Sequence, residues 1–125
     1  MSGVEQRPER SERALSMGII TSMGLDADAE ITFVATPVNT VAASVREALD
    51  ATGGVVTDVG SVKAVAAAGT TDPRYVPGHP MAGSEKAGLG AARPDLFKGA
   101  VSIVTPSPRT PPEAVERAEQ LWTRV

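Results

Sequence analysis

Ile31-Thr32-Phe33-Val34-Ala35 opens the stretch that decides the fold, which closes at Val55-Val56-Thr57. The first run is almost continuously apolar, the pattern of a parallel strand covered on both faces. Between the two runs, Val41, Val45, Ala48 and Leu49 recur at helical spacing, so the periodicity predicts a helix over Asn39–Ala51. Asn39 or Thr40 can cap it, and Gly53-Gly54 ends it. A strand, a helix of about a dozen residues and a second strand with short links make a βαβ unit, hence a parallel sheet.

The same alternation extends in both directions. Toward the N-terminus, Arg7 to Met17 reads as a short helix with Pro8 early and Gly18 after it. Gly3-Val4-Glu5 before that helix looks like the close of a strand, and residues 19 to 30 read as irregular or weakly helical. Toward the C-terminus, Ser61 is expected to cap a helix over Val62 to Ala68. Arg74-Tyr75-Val76 reads as a brief strand, residues 85 to 92 as a helical turn or two, and Ala100 to Val104 as another strand. Thr110-Pro111-Pro112-Glu113 has the form of a capping box ahead of a helix striped with Ala114, Val115, Ala118, Leu121 and Trp122. The class is α/β, and 125 residues suit one domain.

Composition excludes several functions. Net charge is −3 and the early arginines alternate with glutamates, so there is no basic stripe for nucleic acid. No cysteine is present, which removes thiolate chemistry and cysteine-based metal sites. No apolar run approaches the ~18 residues of a membrane span. Residues 1 to 7 lack the apolar core of a secretory signal. A soluble cytoplasmic protein is the expectation.

In open α/β sheets, ligands bind beyond the carboxyl ends of the strands. Three polar, turn-rich segments fall there: Thr36-Pro37-Val38, Asp58-Val59-Gly60-Ser61-Val62-Lys63, and Pro77 through Glu85. The last holds the sole histidine, His79, which glycines and Pro80 set in a turn-prone loop. Histidine accepts a proton near neutral pH, so His79 is either a base or a hydrogen-bonded loop residue. Ser61 is a helix cap, a hydroxyl offered to the site, or both. Asp58 reads as structural, accepting backbone N–H groups in its turn. Lys63 reads as a solvated lysine, and Glu85 with Lys86 as a surface pair. No G-x-G-x-x-G occurs in the chain.

Four motifs, Ala35-Thr36-Pro37-Val38, Thr57-Asp58-Val59-Gly60-Ser61-Val62-Lys63, Gly78-His79-Pro80-Met81-Ala82-Gly83-Ser84-Glu85-Lys86 and Asp95-Leu96-Phe97, resemble in order and spacing the nucleotide-binding domain of the prephenate and arogenate dehydrogenases. The resemblance implies a Rossmann-like domain over residues 1–125 and NAD(P)-dependent oxidation of prephenate or arogenate with loss of CO₂, in tyrosine biosynthesis. It implies His79 as the base for the ring hydroxyl, with Ser61 bonding that hydroxyl and orienting the histidine. Thr36, Pro37, Asp58 and Gly60 would pack along the cofactor, Glu5 would sit by the adenosine ribose, and Ser84 and Glu85 would face the substrate. Glu5 followed by Arg7 leaves NAD and NADP both open.

Family members begin with a strand, a glycine-rich turn and a helix, and carry a helical C-terminal domain that supplies a substrate-binding arginine. This chain is therefore expected to be an incomplete domain, weakly active or inactive alone. If lacking a central strand re-exposes some five apolar side chains, about 8–15 kcal/mol of burial is forfeited. That rivals the ~5–15 kcal/mol total stability of a domain. Self-association or complementation by another chain would follow, and a non-catalytic partner or ligand-binding module is the alternative function.

Overall fold

The computed structural model describes residues 1–67, 70–83 and 88–124. Its centre is the predicted βαβ unit. Strand β3 (Ile31–Val34) pairs in parallel with β4 (Val55–Asp58), Ile31 opposite Val55 and Val34 opposite Asp58. Between them runs α2 (Val41–Ala51). Val56 makes an isolated parallel bridge to Tyr75, giving and taking backbone bonds with Arg74 and Val76, so the predicted third strand is present as a short continuation.

Helices cover both faces of these strands. On one, Val41, Val45, Ala48 and Leu49 of α2 pack with Val34, Val56 and Tyr75. On the other, Ala114 and Ala118 of α4 (Pro112–Trp122) pack with Val55 and Val76, with Ile31 and Val104 alongside. Each valine or leucine so buried contributes about 1.5–3 kcal/mol. The two alanines let α4 approach the sheet closely. Coverage of β3 is less complete than its apolar run predicts: Phe33 is 40% exposed and Ile31 only half-buried. The cause is an open edge. Val55 N–H bonds the Glu30 carbonyl and Val59 N–H the Val34 carbonyl. The backbone groups of Ile31 and Phe33 therefore point the other way. No strand among the described residues pairs with them.

Helix α1 (Pro8–Ser16) matches its prediction, and Ser2–Gly3 ahead of it is strand β1. Residues 19–30 are not helical; they contain strand β2 (Ser22–Met23), parallel to β1. Further expectations are corrected. His79 lies within a strand, β5 (Gly78–Pro80), antiparallel to β6 (Ser102–Val104) with His79 opposite Ile103. Among the described residues the strands thus form three separate pairs, β1–β2 and β3–β4 parallel and β5–β6 antiparallel, because a partner distant in sequence converts the turn-prone loop into a paired strand.

Neither α2 nor α4 has a side-chain cap at its N-terminus. Thr40 Oγ1 bonds Pro37 O, Thr110 sits with Ser107, and α3 (Lys63–Ala67) starts two residues after Ser61. Thr52, not glycine, stands in extended backbone at the end of α2. Gly54 is required for a different reason: a Cβ there would lie 2.2 Å from Ala29 O and 2.3 Å from Glu30 O, both backbone. Of the turn predicted over 85–92, a 3₁₀ turn at Leu89–Ala91 is observed; residues 85–87 lie outside the described residues.

Candidate active site

The turn after β4, Tyr75 and the start of the strand carrying His79 meet around one carboxylate. Asp58, last residue of β4, is fully buried. Its Oδ2 accepts from Gly60 N at 3.0 Å and from Lys63 Nζ at 2.6 Å. Its Oδ1 accepts from the Tyr75 hydroxyl at 2.9 Å and from Gly78 N at 3.4 Å. Lys63 Nζ also donates to the Gly78 carbonyl. A buried carboxylate is tolerated only when paired and hydrogen-bonded, and here every partner is supplied. Burial, with the Asp58 charge beside it, holds the Tyr75 phenol protonated far above its ordinary range, as its role of donor requires.

His79 is half-buried next to this cluster, its Nδ1 3.4 Å from the Val59 carbonyl. A carbonyl only accepts, so in this contact Nδ1 carries the hydrogen and, in the neutral ring, Nε2 holds the lone pair. Val59 is itself tied to the end of β3 through Val34 O. The imidazole therefore stands beyond the carboxyl ends of β3 and β4, where the sheet rule locates ligands.

The other predicted residues divide clearly. Gly60 and Ser61 adjoin the cluster in the turn after β4, Gly60 half-buried and Ser61 exposed. Thr36, after β3, is half-buried, and its Oγ1 is buried without a hydrogen-bond partner among the described residues. Pro37 is exposed; its carbonyl accepts from Thr40 and Val41 at the start of α2. Glu5 is not part of this group. It lines a cleft of about 260 Å³ at the ends of β1 and β2, with Gly3, Val4, Met23 and Gly24, and its carboxylate accepts from Arg7 N at 3.2 Å. Ser84 and Glu85 lie outside the described residues.

Two participants escape the sequence pattern. Lys63, expected to be solvated, is the bonded partner of Asp58, with its side chain 21% exposed. Tyr75 was expected only as a strand residue. The signal for Lys63 is its position five residues after a strand-terminal aspartate. For Tyr75 it is a phenol in an otherwise apolar strand, which needs a buried acceptor. A separate cleft of about 900 Å³ lies between residues 94–100, β6 and the end of α4, and His79 is not among its walls.

Parallel strands flanked by helices, with polar turns gathered at their carboxyl ends, define a Rossmann-like nucleotide-binding fold. Residues 1–125 match the family model of the prephenate dehydrogenase nucleotide-binding domain, and the chain belongs to that family. It is 34% identical over 134 aligned positions to prephenate dehydrogenase of Bacillus subtilis, covering 95% of this chain and 36% of that protein. Its fold superposes on prephenate dehydrogenase from A. aeolicus, solved in complex with hydroxyphenyl propionate and NAD+, with a TM-score of 0.81 at 24% identity. The match covers 98% of this chain and 46% of that one. Synechocystis arogenate dehydrogenase gives a TM-score of 0.83 at 25% identity, covering 96% of this chain and 46% of that one. The chain thus spans between about a third and a half of the length of these relatives. No helix among the described residues is long and apolar enough to cross a membrane.

Proposed function

We propose that residues 1–125 form part of the NAD(P)-binding domain of a dehydrogenase that oxidatively decarboxylates prephenate or arogenate, with His79 as general base. The observation that carries this is the His79 imidazole beyond the strand ends, with Nδ1 on the Val59 carbonyl and Nε2 left to accept a proton. Nicotinamide bound here would supply the hydride acceptor. His79 takes the proton of the ring hydroxyl as that carbon loses hydride and becomes a carbonyl. The bond to the ring carboxylate then breaks, CO₂ leaves, and its electron pair makes the ring aromatic. Ser61 bonds the hydroxyl and holds it toward His79. Substrate-binding roles for Ser84 and Glu85 rest on the family motif alone.

Several features support the cofactor. Thr36 Oγ1, two residues past β3, is a buried polar atom without a partner among the described residues, and Pro37 follows it in the segment that leads to α2, as Gly60 follows β4. Glu5 lines a cleft at the end of β1, suited to an adenosine ribose. Asp58 acts on the cofactor side through the Gly60 turn that it holds, since its own carboxylate is saturated. NAD is the favoured nucleotide, by likeness to the A. aeolicus complex, with NADP as the alternative.

The test is NAD(P)⁺-dependent oxidation of prephenate and arogenate, followed by nicotinamide absorbance. Turnover by the 125 residues alone is expected to be weak. His79→Asn should lower it by a further factor of about 10²–10⁴. Turnover unchanged by that substitution would sink the role of His79.

A further inference from the structure

His79 is held in place by a group that never touches its ring. Gly78, directly before it, has both of its backbone polar groups engaged by the same pair: its N–H by Asp58 Oδ1 at 3.4 Å, its C=O by Lys63 Nζ. The pair closes on itself through the 2.6 Å bond from Lys63 Nζ to Asp58 Oδ2. Asp58 also holds Gly60 N, in the turn whose Val59 carbonyl receives His79 Nδ1. One ion pair therefore fixes the strand that carries the imidazole and the turn that orients it.

We propose that Asp58 and Lys63 are the positioning residues for His79, setting its place and keeping the hydrogen on Nδ1. Fixed peptide groups leave the ring few orientations, and a base held in one orientation and one tautomer needs no reorganisation when substrate arrives. The pair's functional sense rests on His79 being the base proposed above, but its structural effect can be measured without turnover.

His79 is the only histidine, so long-range ¹H–¹⁵N correlation of the ¹⁵N-labelled chain reads one ring. In alkaline buffer the wild type should show a pyrrole-type Nδ1 and a pyridine-type Nε2. Lys63→Met should move both shifts toward the average of mixed tautomers. Lys63→Arg, which keeps a cationic donor, should hold the wild-type pattern. Three results would overturn the proposal: a mixed or reversed tautomer in the wild type, which needs no variant to fold; an unchanged pattern in Lys63→Met; or an Arg variant as mixed as the Met one. The base assignment fails separately. If turnover ignores His79→Asn while Lys63→Met scrambles the tautomer, the base is elsewhere and the positioning pair stands.

Discussion

Gly78 sits where three neighbours leave no room for a side chain. A Cβ there would lie 2.9 Å from Thr57 Oγ1, 3.0 Å from Asp58 O and 3.1 Å from Trp122 Nε1. Two of these, Thr57 Oγ1 and Trp122 Nε1, are buried polar atoms without partners among the described residues, and they converge on this one spot. Gly78→Ala should cost about 1–3 kcal/mol of stability through overpacking. Urea unfolding would read this as a lower midpoint at unchanged slope, and an unshifted midpoint would show that the neighbours give way. The sequence did reveal that glycine mattered beside His79, but through its turn-forming character. The operative cause is close packing against β4 and α4, which is tertiary. The same limit applies to the site. Asp58 was legible as a turn-holding carboxylate because its Gly60 contact is two residues away. The bond from Lys63 to Gly78 spans fifteen residues and leaves no local trace.

Helix α2 was legible to within two residues at its start because its apolar period is strong, but the device at its end was not. Arg74 donates to Thr52 O at 2.6 Å and to Leu49 O at 2.8 Å, satisfying carbonyls at the C-terminus of α2 with a cation suited to that end of the helix dipole. Asp72 holds the guanidinium at 2.8 Å, and its hydrogen bonds to Arg74 hold the Asp72 carboxyl below its ordinary range. A depressed carboxyl contributes stability that is present above its unfolded pKa and lost as pH falls through the folded one. Arg74→Met should therefore destabilise by about 1–2 kcal/mol at neutral pH, the lower end reflecting partial exposure. That difference should hold across neutral pH and shrink only in acid; thermal melts of both proteins over a pH series check it. A difference that grows in acid would contradict the assignment. Strands β1, β2 and β6 are too short for periodicity to set their limits; partners distant in sequence do that.

Across the molecule, the unpaired side of β3 is the feature with the widest reach. It offers the backbone groups of Ile31 and Phe33, the latter residue 40% exposed. An open, apolar strand edge pairs with other chains. The 125-residue chain should therefore self-associate, its sedimentation coefficient rising with concentration, and Phe33→Lys should suppress the rise. A concentration-independent monomer would show the edge to be blunted in solution. This edge was legible only indirectly. The apolar run of 31–35 predicts cover on both faces, whereas the structure leaves Phe33 partly open because β3 has one strand neighbour among the described residues.

Trp122 is the sole tryptophan, and its indole meets Phe33 edge-on with ring centroids 5.3 Å apart and Phe97 at 6.0 Å. The chain thus carries one indole fluorophore, which can be excited apart from Tyr75, in contact with the ring that flanks the open edge of β3. Any strand seated on that edge would dry the surroundings of the Phe33 ring and so blue-shift the emission of its neighbour. A spectrum of the unlabelled protein, taken across a dilution series, would report whether the edge is covered.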